Sequence, residues 1–347
     1  MKKIIIQLKF IISILILCHC FFIQQVSAQI ITKTGTSAAT FLRIPVGARA
    51  IGMGSSFVSM TNDATGLYWN PSTIASLNSN ALVVDHTLWL PGIYFDFVGL
   101  VLPLGDLGTV GFSSSIMHTD DMEITTPDQP MGTGQTFNAS SFAIAVTYSR
   151  SLTDRFSIGG TFKYIRETIY NDYASGIGFD VGTIYQTPFA GIRLGACISN
   201  FGTKMQMTGE DLNIPAVISN QNGTNQSITA KLNTDAFDLP LVMRIGISGE
   251  VVNNEDIRLT LSADGVNPND NAQSVDLGAE VGFLKDKFQL RGGYQDLFLP
   301  DQESNYCFGF SLHEINVIND ILITVEYAYH NYIHLGNSNR FTLEIKF

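Results

Sequence analysis

The chain has 347 residues, a formal net charge of −11 and only 15% charged residues, against about 25% in an ordinary soluble domain. The deficit implies that part of the surface does not face water, and the acidic balance excludes nucleic acid as a natural partner.

The first stretch reads as a processing signal. Lys2 and Lys3 precede an apolar run from Ile4 to Ile23 interrupted by Lys9, and Val26-Ser27-Ala28 offers a small-residue cleavage site. Residues 1–28 are therefore expected to be a cleavable signal peptide, and the mature chain to be exported. A membrane-spanning helix is the competing reading, but no later apolar run of about 20 residues follows. A lipid-modified Cys18 is disfavoured by the bulky Leu17 before it. Removing the leader takes three lysines and no acid, so the mature charge falls to about −14. Cys197 and Cys307 then remain, far apart and without metal or redox spacing. They read as small apolar residues on strands; a disulfide between them is allowed, but nothing calls for it.

Residues 29–79 are expected to form a plug. From Ala38 to Leu77, apolar Phe41, Leu42, Ile44, Val46, Ala48 and Ile51 are crowded with Gly47, Ala50, Gly52, Gly54, Ser55 and Ser56, so the backbone can pass close to surrounding walls. Asn62-Asp63 opens a helical or turn segment over Ala64 to Tyr68, and Trp69-Asn70-Pro71 closes it, since the residue before proline is pushed out of the helical region.

From Asn80 onward the chain alternates with period two in segments of about ten residues separated by turn residues, the signature of a membrane barrel. Strands are predicted near 80–90, 93–104, 107–118, 136–150, 155–170, 173–188, 190–201, 239–252, 256–268, 273–285, 286–296, 304–315, 319–331 and 338–347. The fold class is thus all-β: a membrane β-barrel of about 14 antiparallel strands over residues 80–347, with an N-terminal plug. Tight links (Gly105-Asp106, Thr153-Asp154, Asn253-Asn254, Asp286) follow even-numbered strands, and the long ones, 119–135 and 202–238, follow odd-numbered ones. Short periplasmic turns and longer outer loops are the rule for bacterial barrels. The links near Pro91-Gly92 and Tyr170 to Tyr173 are exceptions.

Alternation separates two faces. Phe341, Leu343, Ile345 and Phe347 oppose Thr342, Glu344 and Lys346, and Ile323, Val325 and Tyr327 oppose Thr324 and Glu326. Charges gather on the inner face, because one facing mid-bilayer costs roughly 2 to 4 kcal/mol. Lys163, Glu167, Arg258, Asp276, Glu280, Arg291, Glu326 and Glu344 are the expected lumen charges. They either line a conduction path or, the favoured reading, pair across the lumen and hold the plug. The loop 202–238 mixes Met205, Met207, Ile214, Val217 and Ile218 with many Asn, Gln and Thr, as suits a lid or a docking surface for protein or another hydrophobic ligand.

No catalytic, cofactor-binding or metal constellation stands out. His86, His118, His313, His330 and His334 show no helix-face or zinc-type spacing, and no strand-turn-helix nucleophile elbow is present. Gly52-Met53-Gly54 lacks the preceding strand and third glycine of a phosphate-cradling loop.

The segment from Thr40 to Leu77 resembles the N-terminal signature of the PorV/PorQ family, outer-membrane proteins of Bacteroidota and relatives, itself similar to the FadL fatty-acid transporter superfamily. The matching positions are Ala48-Arg49-Ala50 with Gly52-Met53-Gly54, then Asp63-Ala64, then Tyr68-Trp69-Asn70-Pro71; Leu335-Gly336-Asn337 and Arg340-Phe341 match the family's last hairpin. Ser72-Thr73 departs from the alanine and glycine usual in the superfamily. The resemblance implies a fourteen-stranded barrel in outer-membrane lipid and a role in type IX secretion, with cargo or translocon proteins as partners. It makes Arg49, Gly52, Gly54, Asp63, Trp69, Asn70 and Pro71 the plug motif, and the terminal aromatic Phe347 a barrel-insertion signal. The alternative is a transporter with a hydrophobic ligand in its lumen. No enzymatic activity and no cofactor are expected.

Overall fold

In the computed structural model, residues 34–189, 191–216, 228–254, 256–318 and 321–347 are described; the proposed signal peptide lies outside them. Fourteen antiparallel strands make the wall: β1 (Ala81–Leu90), β2 (Ile93–Pro103), β3 (Thr109–Thr119), β4 (Ala139–Thr153), β5 (Phe156–Ile169), β6 (Asp172–Gln186), β7 (Arg193–Gly202), β8 (Val242–Asn253), β9 (Ile257–Pro268), β10 (Ser274–Phe283), β11 (Phe288–Leu297), β12 (Ser304–Ile318), β13 (Ile321–Tyr332) and β14 (Gly336–Lys346). Each pairs with the next, and β14 returns to β1 from Ala81↔Lys346 to Leu88↔Asn339. The sheet therefore has no free edge, which is what lets a β-structure satisfy its backbone inside lipid. Among the described residues no helix is long and apolar enough to cross a membrane.

The period-two pattern decides what faces where. On β14, Ser338, Arg340, Thr342, Glu344 and Lys346 are buried while Phe341 and Leu343 are exposed, and the same division runs along β9, β10 and β13. Exposed Ile, Leu, Val and aromatic side chains thus form the outer band. The long connections, 120–138 and 203–241, lie at one end. Each carries small paired strands: Met122–Glu123 with Thr136–Phe137, and Asn213–Ala216 with Ile228–Lys231.

The wall departs from ideal pairing at the β6–β7 seam, where a bulge falls between Phe179 and Val181. Asn200, at φ 62°, supplies the left-handed residue there, a conformation that asparagine tolerates better than most. Its N–H donates to Asp180 (2.8 Å), its amide NH2 to Pro240 O (3.2 Å), and its amide oxygen accepts from Lys163 (2.9 Å).

Residues 39–77 lie inside the wall. They are broken into short turns rather than one helix: Thr40–Arg43, Ala48–Gly52, Gly66–Trp69 and Pro71–Ser76. The expected helical or turn segment over Ala64 to Tyr68 is a turn at Ala64-Thr65 leading into the helical turn Gly66–Trp69, and it is closed at Asn70, which is extended before Pro71. Pro71 does not end the local structure. It opens a further turn, because proline at the first helical position loses only an N–H that would be unpaired anyway.

The interior also differs from a uniformly polar lumen. Val83 (β1), Phe95, Phe97 and Val101 (β2) and Ile165 (β5) point inward and pack with Phe41, Leu42, Ile44, Val46, Leu67 and Ile74 of the inner segment in one apolar cluster. A lumen filled by protein, not water, accepts apolar wall residues wherever the filling is apolar.

Candidate functional site

The interface between the inner segment and the wall holds most of the residues singled out from the sequence. Its centre is Glu280 on β10. One oxygen accepts from Arg49 Nη2 (3.0 Å) and Arg258 Nη2 (2.8 Å); the other accepts from Arg49 Nε (2.9 Å) and Arg291 Nε (2.7 Å). Arg49 belongs to the inner segment, Arg258 to β9 and Arg291 to β11, so one carboxylate joins three elements. The network extends through Arg291 to Glu326 (3.1 Å) and through Arg258 to Asp286 (2.7 Å). Burial pulls down the proton affinity of the Arg49 guanidinium, but the charge of Glu280 outweighs it and holds the group above its ordinary range.

Asp63 lies beside this centre. It accepts from Arg49 Nη1 (3.4 Å) and from the backbone N–H (2.8 Å) and hydroxyl (2.5 Å) of Thr65, an Asx turn that sets the next helical turn. Trp69 donates its indole N–H to Val46 O (2.8 Å) and lies under the Arg244 guanidinium.

Asn70 does the most local work. Its amide NH2 donates to Val58 O (2.7 Å) and to Thr183 O on β6 (3.1 Å), while its side-chain oxygen accepts from the backbone N–H (3.1 Å) and hydroxyl (2.7 Å) of Ser72. The Ser72-Thr73 pair that departs from the family pattern is used here, Thr73 donating to Asn70 O (2.8 Å). Asn70→Ala is expected to destabilise the folded barrel by about 2 kcal/mol, a lost cap plus an unpaired carbonyl. The denaturation midpoint in detergent micelles measures it, and a change indistinguishable from wild type contradicts this account.

The remaining expected lumen charges are tied as well. Glu167 accepts from Ala39 N (3.1 Å), Glu344 accepts from Ala64 N (2.9 Å) and lies 3.6 Å from Lys346, Asp276 accepts from Asp296 N (2.8 Å), and Lys163 pairs with Asp180 (2.6 Å). Asp264, not singled out from the sequence, caps two further backbone N–H groups, those of Phe57 (2.7 Å) and Val58 (2.8 Å). Phe347 follows β14, its side chain exposed and its N–H donating to Asn80 O (3.0 Å).

A second set of residues was not visible in the sequence: glycines of the wall that face inward. A Cβ at Gly159 (β5) would meet the Pro71 carbonyl carbon and oxygen at 2.5 Å, one at Gly278 (β10) would meet Met53 O at 2.5 Å, and one at Gly293 (β11) would fall on the Gly54 backbone nitrogen. Gly195 (β7) receives Val58-Ser59 in the same way, and at Gly309 (β12) the approach is looser, a Cβ there standing 3.2 Å from Gly52 Cα. Within the plug motif, Gly54, at φ 61°, has Tyr294 N and Leu277 O of the wall within 2.7 Å of where a Cβ would stand. The glycines of the inner segment thus have counterparts around much of the wall, and backbone meets backbone.

Cys197 and Cys307 are both buried and free. Among the described residues no group of three or more His, Cys, Asp and Glu is arranged to hold a metal ion.

A closed fourteen-stranded wall, an apolar outer band and a lumen occupied by the chain's own N-terminal segment define an outer-membrane β-barrel. The chain belongs to the family described as type IX secretion system protein PorV, which matches residues 27–233. Among solved structures its fold is similar to the CymD monoaromatic hydrocarbon channel (TM-score 0.54, 13% identity, covering 87% of this chain and 97% of that one). It is also similar to a Pseudomonas aeruginosa FadL homologue (0.54, 12%, 88% and 98%) and to the Pseudomonas putida toluene transporter TodX (0.51, 11%, 86% and 96%). No curated protein sequence matches the chain.

Proposed function

We propose that this chain is a non-enzymatic accessory barrel of type IX protein secretion or surface display, which engages cargo or translocon proteins. In this reading residues 1–28 are the export signal, 29–79 the plug and 80–347 the transmembrane wall. The observation that supports it best is the Glu280 centre: a lumen filled by an inner segment and locked by a buried ion network leaves function to the surfaces. The loop 202–238 is the first such surface. Its described part exposes Ile214, Ile228, Leu232 and Phe237 at the end of the barrel with the long loops; Val217 and Ile218 lie outside the described residues.

Affinity purification of the tagged protein from gently solubilised outer membranes, with mass spectrometry of what co-purifies, tests the reading. Translocon subunits or secreted proteins with C-terminal sorting domains support it. A lone barrel carrying bound lipid contradicts it and favours hydrophobic transport. That second reading has its own observation: a cavity of about 340 Å³ between the inner segment and the wall, where Phe41, Ile44, Pro45, Trp89, Met117 and Tyr332 line it together with the polar Thr40, Arg43, Gln295 and Ser304.

Phe347 is proposed as an insertion signal. Deleting it is expected to lower the amount of heat-modifiable, folded barrel in outer membranes several-fold while total synthesis is unchanged; quantitative immunoblotting of unheated and boiled samples reads this directly.

A further inference from the structure

Two arginines face outward on neighbouring strands of the wall, Arg150 near one end of β4 and Arg166 near the opposite end of β5, each next to a buried inward residue, Ser149 and Ile165. Arg150 stands opposite Ile158, and Arg166 opposite Phe142. The two levels are thus eight residues apart, about 26 Å along the strands and about 20 Å in depth at the usual tilt. Between them the outward positions carry exposed Ile144, Val146 and Tyr148 on β4 and Ile158, Phe162 and Tyr164 on β5. The arginines therefore bracket the apolar band, each guanidinium on a stem long enough to reach the headgroup level.

Their surroundings differ. The Arg166 guanidinium is covered by the Tyr173 ring of β6, 4.3 Å from its centroid. Arg150 lies at the end with the tight turns, the periplasmic one in bacterial barrels. There it shares a rim cavity of about 570 Å³ with Gly105, Asp106 and Gly108 of the β2–β3 turn, Ser151 of β4 and Leu77 of the inner segment. Neither Arg150 nor Asp106 has a side-chain hydrogen bond or ion pair among the described residues. Tyr148 holds the turn against β4, its hydroxyl donating to Leu107 O (2.7 Å). Leu104, Leu107 and Leu152 are exposed around it, Leu107 to 70%, so an apolar surface without protein cover adjoins the charged cavity.

A cation and an anion that line one cavity without closing on each other leave both charges to a ligand that carries the opposite pair. A guanidinium takes a phosphate by two parallel hydrogen bonds, and a primary ammonium offers a carboxylate up to three donors. We propose that this rim cavity binds a phospholipid of the periplasmic leaflet, Arg150 taking its phosphate and Asp106 the ammonium of an ethanolamine headgroup. The exposed leucines and the outward face of β4 receive its acyl chains. The polar chemistry alone is shared by glycerophosphoethanolamine, the same headgroup without chains; the apolar surface beside the cavity selects the lipid.

The test uses full-length protein purified in a mild detergent, mixed with phosphatidylethanolamine or phosphatidylglycerol and read by native mass spectrometry. Wild type is expected to retain phosphatidylethanolamine about tenfold better than phosphatidylglycerol, which has the phosphate but no ammonium. Arg150→Ala is expected to lower retention of both lipids about tenfold or more, the effect of losing a charge-assisted hydrogen bond. Asp106→Asn is expected to erase the preference between them and keep the phosphate contact. Arg166→Ala, at the far edge of the band, is expected to match wild type. Heat-modifiable gel mobility shows that each variant is a folded barrel, and if Arg150→Ala fails to assemble, Arg150→Gln is read in the same way. Loss on substitution of Arg150 also separates a lipid at the rim from any ligand in the lumen cavity beside Trp89. Three outcomes overturn the proposal. Retention insensitive to Arg150, or equally sensitive to Arg166, means unspecific lipid around the wall. Equal retention of the two lipids by wild type removes the role of Asp106. Displacement of the lipid by an equal concentration of glycerophosphoethanolamine makes a soluble phosphate ester the ligand.

Discussion

Glu280→Ala is expected to be the most damaging single substitution in the molecule, with a loss of about 3–5 kcal/mol of folding free energy. The residue is fully buried and answers three guanidinium groups. Removing it leaves Arg49 and Arg291 buried and without their main counter-charge, and the cost of an uncompensated buried charge exceeds that of the lost hydrogen bonds alone. Glu326 and Asp63 still neutralise part of the charge, at 3.1 and 3.4 Å, so the barrel is not expected to fail outright. Glu280→Gln should fall between the variant and wild type, since it keeps the shape and one acceptor. Combining Glu280→Ala with Arg49→Met should recover part of the loss, because one of the stranded charges goes with it. Denaturant unfolding of refolded protein in lipid vesicles reads all three. A double variant no more stable than Glu280→Ala contradicts the electrostatic explanation.

The second large effect separates two adjacent glycines. Gly293 faces inward against the Gly54 backbone; Gly292 faces outward with nothing within 4 Å of where its Cβ would stand. Gly293→Val puts three carbon atoms where a peptide backbone already runs. A core side chain can change rotamer to make room, but two backbones held in register cannot, so the cost belongs at the upper end of the overpacking range, about 3 kcal/mol. That corresponds to a shift of roughly a hundredfold in the population with the inner segment seated. The wall's own hydrogen bonds do not depend on Gly293 lacking a side chain. The expected result is therefore an assembled, heat-modifiable barrel whose inner segment is cleaved by added protease and whose lumen passes ions in planar bilayers. Gly292→Ala should match wild type within about 0.5 kcal/mol. Equal behaviour of the two variants contradicts the proposed seating.

The strands were legible because alternation is a one-dimensional signal. Leu343, Glu344, Ile345 and Lys346 declare their faces without reference to any other part of the chain. The tight links after even strands made the direction of the loops readable as well. What stayed hidden depends on register between distant segments. Nothing in the sequence distinguishes Glu280 from Glu326 or Glu344; its place as the centre follows from β9, β10 and β11 bringing Arg258 and Arg291 alongside it and the inner segment delivering Arg49. The inward glycines of the wall look like weak strand residues when met singly, and only the path of residues 52–72 gives them a purpose. His86 and Asp96 show no spacing of interest along the chain, since their 2.7 Å pairing is set by the register of β1 against β2. The short turns at Thr40–Arg43 and Ala48–Gly52 carry no amphipathic period of their own; the surrounding wall imposes them.

The last strand carries a consequence for how the molecule is made. Arg340 donates to Pro45 O, Thr342 accepts from Ala48 N at 2.7 Å, and Glu344 accepts from Ala64 N. The same strand closes the circle against β1. The inner segment is thus held by a strand some 280 to 295 residues further along the chain. Joining the ends of the wall and fastening its contents are one event, so a half-assembled chain has neither a sealed circumference nor a finished interior. Quality control that senses only the closing seam would, in this architecture, inspect both at once.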